Sequence, residues 1–168
     1  EKLLVPLLAK LGNLVIDGGI WLNTQRPEWN DANNALVGQG LSMVTLYYMR
    51  RYIHFLEDLL EGQQGTFAVT EEIDCWIGDT AAALAGVRAE LDETPDPDAL
   101  RHRALCALGA AAASFRERVY SRNTLDDRSE RDIDSVRALL DDAQAVVHRD
   151  RQRVGGGEPA RRWRVSRL

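Results

Sequence analysis

The chain has 168 residues, of which 45% are hydrophobic and 28% charged, and a formal net charge of −5. That length suits one domain with a real core, in which about two thirds of the unfolded surface leaves water, and the modest acidity argues against nonspecific nucleic-acid binding. No apolar run approaches a membrane span and the amino end lacks the basic, apolar, small-residue order of a signal peptide, so a cytoplasmic protein with no membrane partner is expected.

In chain order, Leu4, Leu7, Leu8 and Leu11 recur at helical spacing, predicting a helix over residues 2–11 that Gly12 and Asn13 end. Leu14-Val15-Ile16 and Ile20-Trp21-Leu22 flank Asp17-Gly18-Gly19 and read as a β-hairpin. From Asn34 to Leu60 the pattern predicts one long helix, with Leu36, Val37, Leu41, Val44, Tyr48, Tyr52, Phe55, Leu56 and Leu59 forming its apolar surface. Gly38, Gly40 and Ser42 in its first turns permit close approach of a neighbour. Tyr47, Tyr48 and Tyr52 read as core or interface.

Gly62 and Gly65 break the pattern, and Thr70 followed by Glu71 and Glu72 starts a helix running to about Leu91. Asp96 as cap and Pro97 as first helical residue predict another helix to about Tyr120, in which Ala110 to Ala113 suit tight packing. Ser129 to Asp132 open a last helix with Ile133, Val136, Leu140, Ala143 and Val147 as its stripe. Helices joined by short connections predict antiparallel α-hairpins over residues 1–154. Beyond them, residues 155–168 read as a disordered basic tail, since Arg161, Arg162, Arg164 and Arg167 follow a Gly-rich stretch without periodicity. Cys75 and Cys106 sit singly in apolar helical patterns and read as buried thiols. His54, His102 and His148 are spread over separate helices and advertise no metal site or Cys-His pair.

Chemistry concentrates in Arg26-Pro27-Glu28-Trp29-Asn30-Asp31-Ala32-Asn33-Asn34. Glu28 and Asp31 can exchange protons, Trp29 offers a flat apolar face, and Arg26, Asn30, Asn33 and Asn34 can hydrogen-bond hydroxyl groups, which together are the parts of a sugar site. The competing structural reading is a helix start, with Asn30 or Asp31 capping the long helix that follows and Trp29 packed on it.

Glu28-Trp29-Asn30-Asp31 resembles the Asp-Trp-Asn-Asp segment of disaccharide phosphorylases of the cellobiose-phosphorylase and glycogen-debranching type, whose catalytic domain is an α/α toroid of helical hairpins. The resemblance implies Asp31 as general acid and Trp29 as sugar contact. Glu28 stands where the phosphorylases have Asp, and Ala32-Asn33-Asn34 departs from their usual continuation. It further implies a disaccharide or oligosaccharide substrate, inorganic phosphate as the co-substrate of phosphorolysis, no cofactor or metal, and a chain that is one inactive part of a longer polypeptide. A rival from another class is a noncatalytic helical module whose apolar faces bind a partner protein.

Overall fold

The computed structural model describes residues 1–22, 38, 40–91, 94–122, 125 and 127–155, with residues 149–155 described by backbone only. The elements run α1 (Leu4–Leu11), β1 (Leu14–Val15), β2 (Gly19–Trp21), β3 (Leu41–Ser42), α2 (Met43–Leu60), β4 (Thr66–Thr70), α3 (Glu71–Glu90), α4 (Pro97–Ser121), β5 (Arg128–Asp132) and α5 (Ile133–Gly155). The fold is therefore mostly helical, as the sequence predicts, with two small antiparallel sheets among the described residues. The remainder of the proposed tail, residues 156–168, lies outside the described residues.

The hairpin predicted after α1 forms, and it gains a third strand. Leu14 pairs with Ile20 and Val15 with Gly19, while Ile20 also pairs with Ser42 and Trp21 with Leu41. The turn uses left-handed backbone at Asp17 (φ 60°) and at Gly19 (φ 117°). A side chain at Gly19 would also crowd Ser42 O at 3.2 Å, so glycine serves both the turn and the contact with β3.

The long helix begins at Met43 rather than Asn34. Ser42 is its cap, with Oγ accepting from Thr45 N–H at 3.1 Å, and Leu41 and Ser42 are held extended against β2. Gly38 has φ 72°, a backbone no right-handed helix uses, and each helical glycine costs up to about 1 kcal/mol relative to alanine. The buried face of α2 also differs in part from the predicted one: Leu56 faces the core as expected, but with Leu46, Met49 and Ile53, whereas Val44, Tyr47, Tyr48, Phe55 and Leu59 are exposed. At the other end of α2, Arg137 on α5 donates from Nε and Nη2 to Leu60 O at 3.2 and 2.5 Å, adding to the bond this carbonyl accepts from Gln63 N–H at 3.1 Å.

A second sheet was not legible in advance. Residues 128–132 form strand β5, which pairs with β4 from Thr66↔Asp132 to Thr70↔Arg128, instead of the first turn of a helix. Asp132 then accepts from Ser135 N–H at 3.0 Å, which starts α5 after the strand. Thr70 occupies the cap position of α3 without a side-chain cap bond. Asp96 caps α4 as expected, accepting from Asp98 N–H at 3.1 Å and Ala99 N–H at 3.0 Å.

Helices α3 and α4 form an antiparallel hairpin. Trp76 near the start of α3 stacks on Phe115 near the end of α4, with ring centroids 4.1 Å apart, and Glu90 at the far end of α3 pairs with Arg103. α2 and α5 also run oppositely, since Leu60 meets Arg137 and His54 meets Gln144. α5 runs in the same sense as α3, with Arg131 on Asp74 at the start and Asp141 and Asp142 on Arg88 farther along. The small-residue stretch of α4 lets α1 approach it: Ala111 and Ala112 are buried, and a Cβ on Gly12 would fall 2.7 Å from Ala112 Cβ. The cysteines depart from expectation, because Cys75 is only half-buried and Cys106 is exposed. Among the described residues no helix is long and apolar enough to cross a membrane.

The reassigned face of α2 is testable. Ile53→Ala removes a fully buried side chain and is expected to cost about 2–5 kcal/mol in urea unfolding. Val44→Ala, on the face of α2 that was expected to be buried and at a site 65% exposed, is expected to change stability by no more than about 0.5 kcal/mol. Equal effects of the two would contradict the packing.

Candidate functional site

Arg26, Glu28, Trp29, Asn30, Asp31, Asn33 and Asn34 all fall within residues 23–37, outside the described residues. The segment's two ends are described, and they are held side by side. Leu22 N–H donates to Gly40 O at 3.0 Å and Gly38 N–H donates to Leu22 O at 2.6 Å, so the β2–β3 ladder continues past the paired strand residues. On its other side β2 is fixed to β1 and to the end of α1, where Trp21 N–H donates to Asn13 O at 2.8 Å. The segment thus leaves and rejoins one antiparallel sheet at adjacent strands.

That sheet is fastened to the helical body by a mostly buried ion pair. Arg101 on α4 donates from Nε and Nη2 to Asp17 Oδ2 at 3.2 and 2.6 Å, and the Asp17 side chain is only 6% exposed. Burial pulls the Arg101 guanidinium down, but its hydrogen bonds and charge contacts with Asp17 and Asp98 outweigh that, leaving it above its ordinary value. Ile20, 1% exposed, adds an apolar anchor from the strand itself. Its neighbour Trp21 points to the opposite face, as strand geometry requires, and stays 40% exposed at the edge from which residues 23–37 depart. Sequence reading treated Trp21 as a strand residue only. The period-2 alternation that buries Ile20 was the signal that would have placed this indole on the open face.

The capping alternative for Asn30 and Asp31 does not apply to α2, because Ser42 occupies that role. The position of Gly38 and the pairing of Leu41 further separate the Asn-rich segment from the helix it was expected to start.

Elsewhere, reactive side chains meet in three places. His102 and Cys106, four residues apart on α4, bring Nε2 and Sγ to 3.8 Å on an exposed face, so the Cys-His proximity that sequence reading discounted was present in the i, i+4 spacing. His54 Nδ1 lies 3.0 Å from Glu57 Oε2 and its Nε2 lies 2.9 Å from Gln144 Nε2, which fits a ring that donates to the carboxylate and accepts from the amide while tying α2 to α5. Arg122, at the end of α4, gathers Glu71 Oε2 at 3.1 Å, the buried Glu72 Oε1 at 3.2 Å and Asp127 Oδ2 at 3.6 Å. The hydrogen bond and charge of Glu71, with those of Glu72 adding, hold this guanidinium above its ordinary value. The His54 and Arg122 contacts join elements of the fold, whereas His102 and Cys106 meet within α4. Among the described residues no group of three or more His, Cys, Asp or Glu is placed to hold a metal ion.

No protein-family model matches the chain, and no curated protein sequence matches it.

The ion pair beneath the sheet makes a quantitative expectation. Asp17→Asn preserves a residue that tolerates left-handed backbone but removes the carboxylate facing Arg101, at an expected cost of about 3 kcal/mol. Adding Arg101→Met to that variant is expected to recover part of the loss in chemical denaturation. A double variant no more stable than Asp17→Asn alone would contradict this account of the anchor.

Proposed function

We propose that this chain is part of a carbohydrate-active enzyme that cleaves or phosphorolyses glycosidic bonds, with Asp31 as general acid and Trp29 as sugar contact. The observation that carries the reading is Glu28-Trp29-Asn30-Asp31 and its likeness to the segment of disaccharide phosphorylases. Two features support it: the ends of residues 23–37 are fixed to a braced sheet, as a site loop requires, and Ser42 removes the need for Asn30 or Asp31 to cap α2. In this reading Asp31 protonates the glycosidic oxygen as the bond to the anomeric carbon breaks, and water or inorganic phosphate attacks the opposite face of the sugar. Burial against Trp29 and the charge of Glu28 would raise the Asp31 pKa and keep its proton available near neutrality. Arg26, Asn30, Asn33 and Asn34 would hold sugar hydroxyls, and Glu28, next to the acid in sequence, is a substrate ligand rather than the opposing base.

The finer fold belongs to the same proposal. Antiparallel pairs such as α3 with α4 are units from which an α/α toroid of hairpins is built, and the described chain would form one part of its wall. A single acid cluster cannot serve both faces of the sugar, so the chain alone is expected to turn over no oligosaccharide.

A second reading, a noncatalytic helical interaction module, is favoured by one observation, the exposed Tyr48, Phe55 and Leu59 on α2. The deciding experiment assays the product of the whole locus on disaccharides with and without inorganic phosphate, beside its Asp31→Asn variant. Cleavage reduced by about 10²–10⁴-fold in the variant is expected if Asp31 is the acid. Cleavage unchanged by Asp31→Asn, or no cleavage by the complete product, would favour the module.

A further inference from the structure

The outward face of α2 carries apolar side chains at intervals of four, three and four residues: Tyr48, Tyr52, Phe55 and Leu59. Tyr48 is 65% exposed, Phe55 48% and Leu59 47%, while Tyr52 is half-buried, stacks on Phe55 with centroids 5.8 Å apart and donates its hydroxyl to Leu3 O at 2.8 Å. The core-facing row of α2 is a separate one, Leu46, Met49, Ile53 and Leu56, so Tyr48, Phe55 and Leu59 are not needed to hold the helix to its own body, while Tyr52 serves both sides. Its spacing is that of a helix that packs lengthwise on another helix. A continuous exposed row of this kind marks an interaction surface more often than a solvated one.

We propose that two copies of this chain associate through α2, with the helices antiparallel about a twofold axis. The charges beside the seam select this occupant. Arg51 and Asp58 lie seven residues apart on the same edge, both are exposed, and neither makes an ion pair among the described residues, although many other acids and arginines of the fold are paired. In an antiparallel pair Tyr48 of one copy lies opposite Leu59 of the other and Tyr52 opposite Phe55. Arg51 of each copy then falls beside Asp58 of the other, so the two opposite charges are satisfied twice by symmetry. A parallel pair in register would instead put the Arg51–Asp58 edges of the two copies on opposite sides of the seam, where neither charge meets its counterpart. The self-complementarity belongs to the antiparallel copy. The contact is short, so a dissociation constant on the order of 10 μM is expected. This inference does not depend on the carbohydrate reading.

The test is sedimentation velocity of the whole chain across micromolar concentrations, with circular dichroism of each variant to confirm that the helical fold is retained. Wild type is expected to pass reversibly from monomer to dimer. Phe55→Asp, at an exposed site, is expected to leave a folded monomer. Arg51→Asp and Asp58→Arg are each expected to weaken association about tenfold, and the two together to restore it. A wild-type chain that stays monomeric at every concentration overturns the proposal, whether residues 23–37 or a different protein cover the face. A dimer indifferent to Phe55→Asp, or one in which the doubly reversed variant is as weak as the single ones, overturns it equally.

Discussion

Helix α3 has to bury apolar surface on several sides at once, because α1, α4 and α5 all pack against it. Its sequence meets that demand with large side chains at Ile73, Trp76, Ile77, Leu84 and Val87 and with small residues between them, so that its neighbours approach closely. The polar contacts along α3 are arranged at its margins: Arg122 gathers the acids at its start, Arg131 reaches Asp74, and Arg88 reaches Asp141 and Asp142 at the other end. These partly exposed pairs contribute little energy individually. They fix which neighbour lies on which side, while apolar burial supplies the main stabilisation.

The two small sheets extend this helical body in different ways. The β4–β5 pair links the connection before α3 to the segment that enters α5. The β1–β2–β3 meander grows from the end of α1 and is braced on α4 through Asp17 and Arg101. Residues 23–37 connect the central strand β2 to the edge strand β3 of this braced sheet. A segment carrying two carboxylates, a Trp and four Asn amides therefore has fixed ends, whatever chemistry it performs. Catalytic groups require that arrangement, because small displacements of a proton donor are costly to rate.

The sequence made the helices legible because their cores repeat at helical spacing, as in Leu4, Leu7, Leu8 and Leu11 or Val136, Leu140, Ala143 and Val147. It misled on α2, where two apolar rows compete. The more aromatic row, Tyr48, Tyr52 and Phe55, attracted the assignment, but the body covers Leu46, Met49, Ile53 and Leu56. The strand at residues 128–132 was hidden because Arg-Ser-Glu-Arg-Asp has no apolar alternation, and backbone pairing with β4 together with Arg131 on Asp74 holds it in place. For the candidate site, residue chemistry and the neighbouring hairpin were readable. The third strand was not, since Leu41 and Ser42 continue an apolar pattern in phase with the helix, and Gly38 with positive φ was the local sign that the helix had not begun.

The most direct measurement is a nitrogen-15 correlation spectrum of the indole N–H groups of the four tryptophans while a disaccharide such as cellobiose is titrated in. The account predicts a saturable shift of Trp29, with a dissociation constant on the order of millimolar, and no shift of the buried Trp76. An unmoved Trp29, or equal small shifts of every indole, would contradict the assignment of residues 26–34 as a sugar site.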